Sequence, residues 1–152
     1  MLSDKEKAIY ARHLILPEIG EEGQEKLKAA KVLVIGAGGL GCPVLQYLTA
    51  VGVGTIGIVD NDKVDESNLQ RQILYSNEDI GQLKAEVAKE KLSKQNPFIN
   101  FFSYLSYLSS SNAIEIISYY DIIVDGSDNF ATRYMVNDAC VLLNKPIVSG
   151  SI

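Results

Sequence analysis

Four apolar residues, Val32-Leu33-Val34-Ile35, run directly into Gly36-Ala37-Gly38-Gly39-Leu40-Gly41. A short, continuous apolar run of this kind suits a strand buried on both faces. The glycines that follow fit G-x-G-x-x-G, and apolar residues at helical spacing (Val44, Leu48, Val51) come next. Alone, the glycine pattern says little. Between a strand and a helix it describes a turn in which the backbone can approach a phosphate while free N–H groups of the helix start point at it. No Lys-Ser/Thr pair follows, which disfavours a P-loop NTPase.

The rest of the chain repeats the alternation. Strands are expected at Thr55–Val59, over 99–105, at 121–124 and from Pro146. Helices are expected over 39–51, from Ile80 through Leu83 and Val87 to a stop at Pro97, over 113–120, and along Val136, Ala139, Cys140 and Leu143. Strands alternating with helices of this length imply parallel pairing and a doubly wound, Rossmann-like α/β sheet, mostly parallel, in the order 3-2-1-4-5. Residues 1–30 form a helical preface. Ser3 and Glu6 fit a capping box that opens a helix to about Arg12, and a second helix covers 21–30. The expected division is 1–30 as a preface and dimer arm, and 31–152 as the nucleotide-binding domain.

Charge and cysteine usage remove several classes. The net charge is -5, from 14 basic and 19 acidic residues, so there is no broad electrostatic footprint for nucleic acid. Cys42 and Cys140 are the only cysteines and form no CxxC pair, which excludes a disulfide framework or a cysteine zinc site within these residues. The uncharged stretch from Val32 to Val59 is broken by seven glycines and Pro43, so it is no membrane span. The charged start lacks an apolar signal core, and the expected location is the cytoplasm.

Asp60, at the end of the second strand, is placed to accept hydrogen bonds from ribose hydroxyls, with Asp62 close by. The loop and Asp60 serve NAD and ATP equally, so the choice rests on other residues. Asn68, Arg71 and Gln72 follow strand two, and Lys84 opens the next helix, where an ammonium is unfavourable unless an anion is near. Asp128 and Asn129 follow strand four on the same sheet edge, and Asp128 is a candidate Mg²⁺ ligand. Two cations beside one phosphate loop suit a triphosphate better than a dinucleotide. Singly, Arg71 and Lys84 also read as solvated charges, Asp128 as a helix N-cap, and Asp60 and Asp62 as an acidic turn.

Gly-Ala-Gly-Gly-Leu-Gly, Asn-Leu-Gln-Arg-Gln, Gly-Gln-Leu-Lys and Ser-Asp-Asn, in this order, resemble the MoeB/ThiF enzymes, bacterial relatives of ubiquitin-activating enzymes. The resemblance extends to Arg12 and Leu16-Pro17-Glu18-Ile19-Gly20. It implies that Asp60 and Asn68 contact the nucleotide, that Arg71 and Lys84 contact phosphates, that Asp128 serves the metal, and that Arg12 reaches a neighbouring subunit's ATP. It also implies ATP-dependent adenylation of the C-terminal carboxylate of a ubiquitin-like sulfur-carrier protein, of molybdopterin or thiamine type, by a homodimer with Mg²⁺.

Such chemistry needs no general base, since a terminal carboxylate with a pKa of roughly 3.5 is already ionised. His13, the only histidine, has no expected catalytic role. Arg71, Lys84, Arg12 and Mg²⁺ supply positioning and charge. Cys42 lies at a helix N-terminus that can favour a thiolate, although packing on the sheet is the plainer role. Members of the family continue beyond the position of Ile152 with more sheet, a carrier groove and often two CxxC zinc pairs, so the chain reads as shortened. Zinc is expected only beyond it, and the 152 residues are expected to bind ATP–Mg²⁺ without carrier-dependent turnover. The competing readings are a NAD-dependent oxidoreductase domain and a non-catalytic nucleotide-binding module.

Overall fold

The computed structural model describes residues 1–150. Its sheet contains β1 (Lys31–Ile35), β2 (Thr55–Val59), β3 (Asn100–Tyr104), β4 (Ile122–Asp125) and β5 (Ile147–Ser149), all parallel, in the expected order β3-β2-β1-β4-β5. The register decides where a ligand can sit. Ile35 pairs with both Val59 and Asp125, Val59 pairs with Tyr104, and Asp125 pairs with Ser149. The carboxyl ends are therefore level, and the loops that leave them start side by side. The strand order reverses between β1 and β4, the point at which such sheets open a crevice.

Alternation along β1 builds two cores. Val32 and Val34 face α4 (Gly41–Val51) and α5 (Lys84–Gln95), in a cluster with Leu45, Ile56, Ile58 and Leu92. Leu33 and Ile35 face α6 (Ala113–Ser118) and α7 (Phe130–Leu143), with Ile117, Ile123 and Val136. Each fully buried aliphatic side chain contributes roughly 1.5–3 kcal/mol. Two-sided burial is why β1 is apolar throughout apart from the exposed Lys31 at its start.

The preface comprises α1 (Asp4–Ile9), α2 (Ala11–Leu14) and α3 (Gly20–Ala29). The Ser3–Glu6 capping box is present. The single helix expected from Ser3 to Arg12 is instead broken at Tyr10, whose side chain is buried. Its hydroxyl accepts from Asn96 Nδ2 at 2.7 Å, and its ring fills the space beside Gly52. Tertiary packing of one aromatic overrides helix continuity there. The preface joins the sheet through Gly54 N–H to the Leu27 carbonyl (3.0 Å) and Gln24 Nε2 to the Val51 carbonyl (2.8 Å).

Two helix starts also differ from expectation. The glycine loop stays non-helical to Leu40, so α4 begins at Gly41. The helix expected from Ile80 begins only at Lys84: Ile80 is exposed, and Gly81 has φ +84°, which breaks the helical run. No helix among the described residues is long and apolar enough to cross a membrane.

Candidate nucleotide site

A cavity of about 660 Å³ opens at the level carboxyl ends of the strands. Gly36, Gly38 and Gly39 line it from the β1–α4 loop, and Asp60 and Asp62 from the segment after β2. Asn68, Arg71 and Gln72 follow on the same side, Lys84 comes from the first turn of α5, and Asp128 and Asn129 come from the β4–α7 loop. Eleven of the residues singled out in the sequence are thus together. Gly41 and Arg12 are not among the lining residues. Gly41 is buried and packs against the loop, where a side chain would overlap the Gly36 carbonyl oxygen. Arg12 is exposed on α2.

The loop is shaped to offer donors. Gly36 has φ +89°, and its N–H is committed to the Val59 carbonyl at 2.8 Å. Ala37 N–H donates to Asp60 Oδ2 at 2.7 Å. Among the described residues, the N–H groups of Gly38, Gly39 and Leu40 have no hydrogen-bond partner, and all three residues line the cavity. Unpaired N–H groups just before an 11-residue helix are an anion site. Beneath them, the Ala37 carbonyl accepts from the buried Tyr75 hydroxyl (2.8 Å) and from Cys42 Sγ (3.3 Å). Burial pushes the Cys42 thiol up, so its place is structural and the thiolate reading fails.

Asp60 is no solvated turn residue. Burial pushes its carboxyl up, against the pull of the Ala37 and Asp62 N–H groups, the second of which donates to Oδ1 at 2.8 Å. Each oxygen accepts one N–H and keeps a free lone pair. The Lys84 ammonium, expected beside a phosphate, is paired in the structure with Asp62: Nζ lies 3.2 Å from its Oδ2. Arg71 lays its side chain over Gly39, and its Nη1 donates to the Ser67 carbonyl at 3.3 Å.

At the other wall Asn129, rather than Asp128, caps α7, accepting from Thr132 N–H at 2.9 Å. Asp128 is left exposed to the cavity. Among the described residues no three His, Cys, Asp or Glu converge on one point, so no protein cage for a metal exists. One carboxylate beside a phosphate site does fit Mg²⁺, which is commonly held by one or two carboxylates plus phosphate oxygens and water. His13 lies outside the cavity, its Nδ1 2.8 Å from Gln24 Oε1.

Sequence reasoning missed two parts of the wall. Ser106, Tyr107 and Leu108 follow β3 and line the cavity, as level strand ends require of that loop. Arg133 also lines it and holds the β4–α7 turn, donating to the Ser127 carbonyl from Nε (3.1 Å) and Nη2 (2.8 Å), and to the Gly150 carbonyl at 3.2 Å. Its position one helical turn beyond Asn129 was the available signal.

Residues 10–152 match the ThiF family. The chain is 57% identical over 143 residues to a sulfur carrier protein adenylyltransferase of Thermus thermophilus, covering 94% of this chain and 53% of that protein. It is likewise 57% identical over 151 residues to a probable adenylyltransferase/sulfurtransferase MoeZ of Mycobacterium tuberculosis, covering 99% of this chain and 38% of the relative. The chain therefore spans about half or less of the length of these relatives. Among solved structures, the E. coli tRNA N6-threonylcarbamoyladenosine dehydratase TcdA in complex with ATP superposes with a TM-score of 0.92 at 25% identity, over 98% of this chain and 61% of that one. On the match over residues 10–152 and these identities, the chain belongs to the ThiF family.

Proposed function

We propose that this chain binds ATP with Mg²⁺ and forms the adenylation site for the C-terminal carboxylate of a ubiquitin-like sulfur-carrier protein. The observation that carries the reading is the convergence, in one cavity, of unpaired loop N–H groups, Asp60, Arg71 and Lys84. It is supported by a relative named as a sulfur carrier protein adenylyltransferase and by an ATP complex of a structural neighbour.

In this reading Asp60 and Asn68 hold the ribose, and the loop N–H groups hold the adjacent phosphate. Arg71 and Lys84 neutralise the outer phosphates, with Gln72 and Asn129 completing the walls. Asp62 is the partner of Lys84 that the phosphates displace. Mg²⁺ on Asp128 would offset phosphate charge. A carboxylate oxygen of the carrier forms a bond to the α-phosphorus, the bond from that phosphorus to the bridging oxygen breaks, and pyrophosphate leaves. No proton has to move, which suits a cavity without histidine; catalysis is positioning and charge stabilisation. Residues 31–152 form the nucleotide-binding domain and 1–30 an arm to a second copy, whose site Arg12 completes.

The reaction is read by exchange of labelled pyrophosphate into ATP, in a protein carrying these 152 residues at the length of its relatives. Exchange should require the carrier and its free C-terminal carboxylate. Equal exchange with a C-terminally amidated carrier contradicts the proposal.

A further inference from the structure

We infer that the Ser127 hydroxyl is a nucleotide contact, donating to an oxygen of the α-phosphate. Among the described residues three buried side-chain oxygens have no hydrogen-bond partner: Thr49 Oγ1, Gln72 Oε1 and Ser127 Oγ. Two of them, on Gln72 and Ser127, belong to lining residues of the one cavity. Buried polar atoms are costly to leave unpaired, and native proteins pair nearly all of them. Two orphans at one cavity mark groups whose partner is the ligand.

The rest of Ser127 is committed. It is 8% exposed, its N–H donates to Asp125 Oδ1 at 3.0 Å, and its carbonyl takes two of the three Arg133 hydrogen bonds. The backbone is therefore fixed and only the hydroxyl is free, an arrangement that costs little to bring to a ligand. Its place selects the phosphate. A Cβ on Gly36 would come within 2.9 Å of the Gly126 carbonyl oxygen and 3.5 Å of Ser127 N, so the turn lies against the first glycine of the loop. A Cβ on Gly126 would lie 3.5 Å from Gly41 N, at the start of α4. The loop is tied to Asp60 through Ala37 N–H. With ribose on Asp60, the phosphate on this loop is the one bonded to ribose. A hydroxyl donor on a turn packed against a loop of unpaired N–H groups favours an anion as its partner. The inference rests on the adenine-nucleotide reading above.

The test titrates the chain, Ser127→Ala and Lys84→Ala with AMP and with ATP–Mg²⁺, beside thermal melting. Ser127→Ala should weaken AMP and ATP alike by about tenfold or more, with no fall in the melting midpoint, because the hydroxyl has no partner to lose. Ser127→Cys keeps a weak donor on a somewhat larger side chain, and should recover part of the loss. Lys84→Ala should weaken ATP far more than AMP. Affinities within twofold of the parent overturn the inference. So does loss for ATP with AMP spared, or a lowered melting midpoint accompanying the loss. Failure of the parent chain to bind either nucleotide overturns the nucleotide reading itself, and the inference with it.

Discussion

Lys84 and Asp62 are joined twice, by the 3.2 Å ion pair between their side chains and by Lys84 N–H donating to the Asp62 carbonyl at 2.9 Å. The Lys84 side chain is 7% exposed and that of Asp62 62%, so a buried cation is held by a carboxylate that solvent already competes for. A phosphate can replace this partner, because the displaced Asp62 carboxylate already lies largely in water.

Lys84→Ala should weaken ATP by roughly 1.5–3 kcal/mol, the scale of a charged hydrogen bond, and AMP by much less. Asp62→Asn should leave ATP binding unchanged or up to about fivefold tighter, because it removes a competitor for the ammonium. Calorimetric titration reads both, and equal losses for ATP and AMP in Lys84→Ala would remove Lys84 from the phosphate site.

The glycine loop offers a backbone test. Gly41 has no room for a side chain against the Gly36 carbonyl oxygen, so Gly41→Ala should cost about 2–4 kcal/mol in denaturant unfolding and abolish nucleotide binding. Normal stability together with normal binding would show that the loop relaxes freely.

Stability in acid should depend on Glu6. Burial opposes its ionisation, but Lys28 and the Ser3 N–H and hydroxyl overcome this and bring the carboxyl down from 4.5 to about 2. A lowered folded-state pKa stabilises above the unfolded value and is lost as pH falls from about 4.5 towards 2. Glu6→Gln should therefore cost roughly 1–3 kcal/mol at neutral pH, with the gap to the parent narrowing below about pH 4.5 and closing only near pH 2 in urea unfolding. A gap that does not change with pH would show that packing, not charge, is what Glu6 supplies.

Much of this architecture was legible in the residues because local and long-range signals agreed. Val32 to Ile35 suits a strand buried on both faces, and parallel strands with level ends force the loops at Gly36, Asp60 and Asp128 together. What escaped depended on tertiary contacts. Tyr10 breaks a helix to meet Asn96, and Asp62 neutralises Lys84 across a turn whose course the local pattern does not encode. Arg133 binds carbonyls rather than a charge, so no acidic partner announces it. The orphan state of Ser127 is visible only once every neighbour is placed.

The central claim is that the cavity takes a nucleoside triphosphate and not a nicotinamide dinucleotide. Titrating the chain with ATP–Mg²⁺ and with NADH in parallel tests it most directly. Saturable binding of ATP–Mg²⁺, weakened by roughly 1.5–3 kcal/mol in Lys84→Ala, is expected, with no measurable uptake of NADH. Binding of NADH in preference to ATP, insensitive to Lys84→Ala, would contradict it.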